Sequence, residues 1–156
     1  MTDDVRRGVI GAGVLGFGFS ALIDVVVLHL ILRLHHLVSN RYPVSTVPGL
    51  RTNVLADGLL SLGAILVMGV GAGLLWRAER RADRPLPVRS LAGAAIIGIG
   101  GFDLFDVVVN HTLLGLHHAT HGSSYYDPHW FVVSVLIVVA GVLVYRGGDR
   151  AGGSGA

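Results

Sequence analysis

The chain has 156 residues, of which 52% are hydrophobic and only 14% charged, with a net charge of +2 and a mean hydropathy of +0.66. These values exclude an ordinary soluble domain and point to one integral membrane domain over residues 1–156, in which the basic residues serve topology and contact with anionic lipid rather than nucleic acid. The absence of cysteine, with Met1 and Met68 the only methionines, excludes thiolate sites, iron–sulfur clusters, covalent c-type haem and disulfides, so any metal must be held by imidazole and carboxylate.

Four apolar stretches, residues 9–34, 54–76, 88–116 and 130–145, approach the ~17–25 residues a helix needs to cross hydrocarbon. They are too long and too evenly apolar for barrel strands, so an open bundle of helices is expected. Arg6 and Arg7 precede the first stretch. No small-residue cleavage site follows them and the apolar run continues through Asp24 and His29, so a membrane anchor is expected rather than a signal peptide. Glycines 8, 11, 13, 16 and 18 in the first stretch, and 93, 98, 100 and 101 in the third, suit close helix packing. Asp57 and Ser61 fall on the first turns of the second helix, which also carries a Gly69-x-x-x-Gly73 packing motif.

Residues 77–89 form a charged, proline-bearing connector. The third helix holds Asp103, Asp106 and His111 and ends near His117 and His118, with His121 in the loop beyond. Asp127 followed by Pro128 reads as the cap of the fourth helix, with His129 next, and Tyr125, Tyr126 and Trp130 suit an interfacial aromatic belt. Residues 147–156 read as a disordered tail. Nine of the twelve arginines lie at the termini or between the second and third helices. The positive-inside rule then makes both termini cytoplasmic and turns the histidine-rich end outward, to the periplasm or cell exterior.

Residues 24–36 (DVVVLHLILRLHH) return 82 positions later as residues 106–118 (DVVVNHTLLGLHH), with nine of thirteen identical. Two parallel helical-hairpin repeats, about 9–76 and 88–145, are expected, related by a pseudo-two-fold axis along the membrane normal. Ionisable groups at mid-bilayer cost at least ~3 kcal/mol each, which makes the duplicated set a functional-site candidate. On a continuous α-helix His29 and His36 share one stripe, and Asp24 and His35 another some 120–140° away. His29 and His111 would then lie about 10 Å below His36 and His118, and Asp24 and Asp106 about 18 Å below them.

This geometry predicts a deep layer of His29 and His111 with Asp57 or Ser61, and an outer layer of His35, His36, His117, His118, His121 and His129 with Asp57 and Asp127. Copper, zinc or iron accepts such donors. Asp24, Asp106, Asp103, Asp127 and Ser61 would serve as supporting hydrogen-bond partners or proton carriers. One alternative is a small cytochrome with haem b between His29 and His111 as axial ligands. Another is a proton-coupled conduit through Asp24, Asp103 and Asp106. No nucleophile, base and oxyanion arrangement is legible, so a non-enzymatic role is expected.

The paired signatures, with Asp57-Gly58-Leu59-Leu60 opening the second helix, resemble the bacterial membrane family known as domain of unknown function 2243, over nearly all of residues 8–146. The resemblance implies a four-helix inner-membrane protein and copper or haem handling beside a respiratory oxidase or its assembly factor. A homo-oligomer is compatible with it. Members of that family often carry a histidine four residues after the acid matching Asp57. Serine stands there in this chain, as Ser61, which would alter a site that used that histidine.

Overall fold

The computed structural model describes residues 2–153, with side chains as far as residue 148. It is all-α: α1 (Asp3–Ile23), α2 (Val47–Glu79), α3 (Val88–Phe105) and α4 (Asp127–Gly153), with no strand among the described residues. Thr2 caps α1 by accepting from the Val5 amide, and Thr46 caps α2 by accepting from the Gly49 amide. α2 therefore starts at Val47 rather than near residue 54, because Thr46 and Pro48 form a start signal ahead of its apolar part. α4 continues to Gly153, inside the segment read as a tail, and residues 154–156 of that segment lie outside the described residues.

Each helix is long and apolar enough to cross a membrane, over Asp3–Ile31, Val47–Glu79, Val88–Leu113 and Asp127–Gly148. α1 packs on α2 and α3, and α3 packs on α4, so α1 and α3 form the inner pair. Small residues set that contact. A methyl group on Gly16 would strike the Ala95 backbone, and one on Gly98 the Gly13 carbonyl oxygen. Phe17 and Phe102 meet edge-on at 5.4 Å beside a core of Ala21 and Ala64, and the Ser20 hydroxyl donates to Asp103 across the same seam at 2.7 Å. Among the described residues Gly69 and Gly73 face open space, so their motif is not used between these four helices. Around them α2 exposes Leu62, Leu66 and Val70, an apolar face suited to acyl chains.

α1 and α3 do not run on as α-helix. Each continues into an eight-residue π-helical segment, Asp24–Ile31 and Asp106–Leu113, and then stops. The stop is the same in both. The Leu34 amide donates to the Leu28 carbonyl at 2.9 Å across Arg33 at φ +53°, and Leu116 donates to Asn110 at 2.8 Å across Gly115 at φ +57°. This is a left-handed cap of the Schellman kind, which satisfies the last carbonyls and reverses the chain. The expected helices through residues 34 and 116 thus end short, and the histidine pairs lie in the return.

Candidate metal centre

The π-helical winding decides where the acids point. In an α-helix, residues five apart are turned by about 140°. In the i→i+5 winding the fifth residue returns above the first. His29 consequently stands over Asp24, with Nε2 3.2 Å from Oδ2, and His111 stands over Asp106, with the same atoms 3.0 Å apart.

The reversal at Arg33 and Gly115 brings the histidine pairs down beside them. His35 lies 4.5 Å from His29 and His36 lies 6.2 Å from it, ring centre to ring centre; His117 and His118 lie 4.5 and 6.4 Å from His111. The two halves meet where the His35 and His117 rings stack at 4.7 Å and 14°. The predicted deep and outer layers, about 10 Å apart, are therefore one cluster. The separation of Asp24 from His29 on different stripes also fails, since both predictions assumed a continuous α-helix.

Each ring of the cluster has its Nδ1 committed. His29 and His36 donate Nδ1–H to the two oxygens of Asp57 at 2.8 and 2.6 Å, and the Leu37 amide donates to the same carboxylate at 3.0 Å. His111 and His118 do the same to Asp127 at 3.0 and 2.7 Å, joined by the Ala119 amide at 2.9 Å. His35 donates to the Ala119 carbonyl at 3.1 Å, and His117 to the Leu37 carbonyl at 3.0 Å, so the loops of the two halves are exchanged. A carbonyl oxygen only accepts, so in both rings Nδ1 carries the proton and Nε2 keeps its lone pair. Burial, with His29 and His117 close by, pushes His35 down to about 3, which keeps it neutral at ordinary pH.

What remains is a set of unpartnered atoms. Among the described residues six buried side-chain polar atoms lack a hydrogen bond, and five of them converge here: Asp24 Oδ2 and Nε2 of His29, His35, His111 and His117. Each such atom costs roughly 1–3 kcal/mol, so five together call for a shared partner. They lie close to the carboxylates without being aligned, Nε2 standing 3.2 and 4.0 Å from the Asp24 oxygens in one half and 3.0 and 3.5 Å from Asp106 Oδ2 in the other. Two ligands of one ion at bond lengths near 2.0–2.2 Å stand roughly 2.9–3.4 Å apart. The donor set fits zinc, iron or cupric ions, with the Nδ1 side supported in the way carboxylates and carbonyls support metal-bound histidines.

Several candidates lie elsewhere. Ser61 donates to the Asp57 backbone carbonyl at 2.9 Å, and Asp103 receives Ser20. His129 is exposed on α4 with Nδ1 on the Tyr125 carbonyl at 3.2 Å, and the exposed His121 meets the Arg33 backbone and the outer edge of His36, at 5.7 Å. Asp57 touches the Nδ1 side of the rings and Asp24 the Nε2 side, the reverse of the ligand and support roles the sequence suggested. Two asparagines also take part. Asn53, buried a turn before Asp57, accepts from the Val38 amide and donates to the Tyr42 carbonyl; Asn110 donates to Asp106 Oδ1 at 2.7 Å. An uncharged polar residue one turn from each acid was the available signal.

A family model described as predicted membrane protein (DUF2243) matches residues 11–148. The chain belongs to this family and is a multi-pass membrane protein. No curated protein and no solved structure matches it.

Proposed function

We propose that this DUF2243 protein is a metal-handling component of the bacterial inner membrane that binds copper, zinc or iron through Nε2 of His29, His35, His111 and His117 with Asp24 and Asp106. One observation carries the reading: five buried, unpartnered donor atoms converge on one place while every ring's opposite nitrogen is held. Packing alone gives no reason to collect such atoms. Asp57 and Asp127 orient the rings and raise their basicity. The arginine-rich connector lies at the other end of the bundle, which supports an outward-facing centre and cytoplasmic termini. Buffering or delivering metal to a respiratory oxidase or its assembly factor suits that position, and calls for no reaction at the site.

The haem alternative loses support, because the stacked His35 and His117 rings fill the space between His29 and His111, each within 6.1 Å of both. A macrocycle would have to displace them. The proton-conduit reading keeps one observation: Ser20, Asp24 and Asp103 line a common cavity of about 240 Å³ on the membrane side of the cluster.

Elemental analysis of the protein purified in mild detergent, beside a His29→Ala/His111→Ala variant, tests the proposal. Near-stoichiometric copper, zinc or iron that is lost in the variant is expected. Metal retained in the variant, or none taken up on reconstitution, overturns it.

A further inference from the structure

From the layout of the donors we infer that the centre holds two divalent ions, one belonging to each half, a step that rests on the metal-binding reading above. The converging donors do not form one coordination set. They fall into two triads, His29/His35/His117 and Asp106/His111/His117, each with its atoms within 4.8 Å of one another and with only His117 in common. The first triad crosses the halves, and Asp24 joins it at 3.2 Å from His29 and 4.0 Å from His35, so that each ion would take two imidazoles and a carboxylate from its own half, Asp24, His29 and His35 for one and Asp106, His111 and His117 for the other. Two imidazoles and a carboxylate form a complete set for one ion with open positions. The stacked pair His35 and His117 stands at the boundary, so each ring can lean to its own ion.

Charge leads to the same number. Asp24, Asp57, Asp106 and Asp127 bring four formal negative charges to the cluster, and the side chains of Asp24, Asp57 and Asp106 are less than a tenth exposed. Among the described residues their ion-pair partners are histidines only, with no arginine. Two divalent cations balance four carboxylates with all imidazoles neutral. One cation leaves two of these charges to be matched by protons on the neighbouring imidazoles, which are then lost as ligands. One ion bound by four imidazoles would also leave Asp24 Oδ2 without a bond, 3.2 Å from His29 Nε2.

The test is a count. The full-length protein in detergent micelles is saturated with zinc, freed of loose ions by gel filtration, and analysed for zinc per chain. A value of two is expected. It should persist in a His121→Ala/His129→Ala variant, which removes the exposed histidines that could hold a stray ion, and fall to one in Asp24→Ala/His29→Ala and in Asp106→Ala/His111→Ala. One zinc per wild-type chain overturns the two-ion assignment and leaves the metal-binding reading intact; no uptake of zinc, cupric or ferrous ion overturns both. Independently of any variant, protein loaded with cupric ion to saturation should give the half-field paramagnetic resonance signal of two coupled cupric centres. The spectrum of isolated cupric ions alone overturns the assignment.

Discussion

The two halves of the centre use the same bonds in different shelter. Asp57 and Asp127 each accept from two imidazoles and one backbone amide, yet the side chains of Asp57 and His36 are 1% and 7% exposed, against 13% and 26% for Asp127 and His118. The difference comes from where each acid sits on its helix. Asp57 lies well inside α2, which begins at Val47, and Asn53 ties the Leu37–Tyr42 loop over it. Asp127 is the first residue of α4, with only the loop in front of it. A groove of about 660 Å³, lined in part by His111, His118, Asp127 and Phe131, opens there, whereas the apolar groove along Leu50–Leu59 stops short of Asp57 and His36. Chemical equivalence of the two halves does not carry equal access to them.

The largest test of this contrast is to remove each acid in turn. Asp57→Ala strands three donors in a closed setting and should lower stability by about 3–5 kcal/mol. Asp127→Ala exposes its donors to water through the groove and should cost about half as much. Thermal unfolding of the metal-free proteins in detergent measures both, and equal losses would show that the cover over Asp57 has no energetic weight.

A second contrast lies in the turn that ends each π-helical segment. Arg33 and Gly115 hold the same left-handed conformation, at φ +53° and +57°. A residue with a Cβ pays about 1–2 kcal/mol there, so Arg33→Gly should stabilise the protein by about 1 kcal/mol and Gly115→Arg should destabilise it by about 1–2 kcal/mol. Opposite shifts of the melting temperature are expected. A loss in both would mean that the Arg33 side chain contributes more than its backbone costs.

Smaller again is the effect of Asn110, whose amide steadies Asp106 where Leu28 gives Asp24 no such donor. Asn110→Leu makes the second half like the first and should cost about 1 kcal/mol, and Leu28→Asn should return a similar amount by giving Asp24 a partner. A double variant that melts near the wild type would show that the two acids are interchangeable once their neighbours are exchanged.

The four spans, the gathering of histidines at one end and the pairing of Asp57 and Asp127 with them were legible, because hydropathy, motif spacing and helix-start chemistry are local. The winding was not. Nothing in residues 24–31 or 106–113 distinguishes i→i+5 from i→i+4 bonding, and that choice alone carries His29 over Asp24. Gly115 was a stop signal three residues before His118, but its counterpart is Arg33, which reads as a helix former. Carrying the Gly115 stop onto Arg33 through the aligned copies places both histidine pairs outside the helix and collapses the two supposed layers into one.

The last and smallest effect concerns access itself. Carbethoxylation of the metal-free protein, followed residue by residue by peptide mass mapping, should modify the exposed His121 and His129 first, then His118, then His36 several-fold more slowly. His29, His35, His111 and His117 should react last. The order follows from exposure, since reagent can reach His118 along the groove beside Phe131, while His36 is shut in by Asp57 and the loop that Asn53 holds. Phe131→Trp, which narrows the groove, should slow His118 and leave His36 unchanged. If His36 reacts as fast as His118, the first half opens on the timescale of the reaction, and the difference in shelter is one of average structure and not of access.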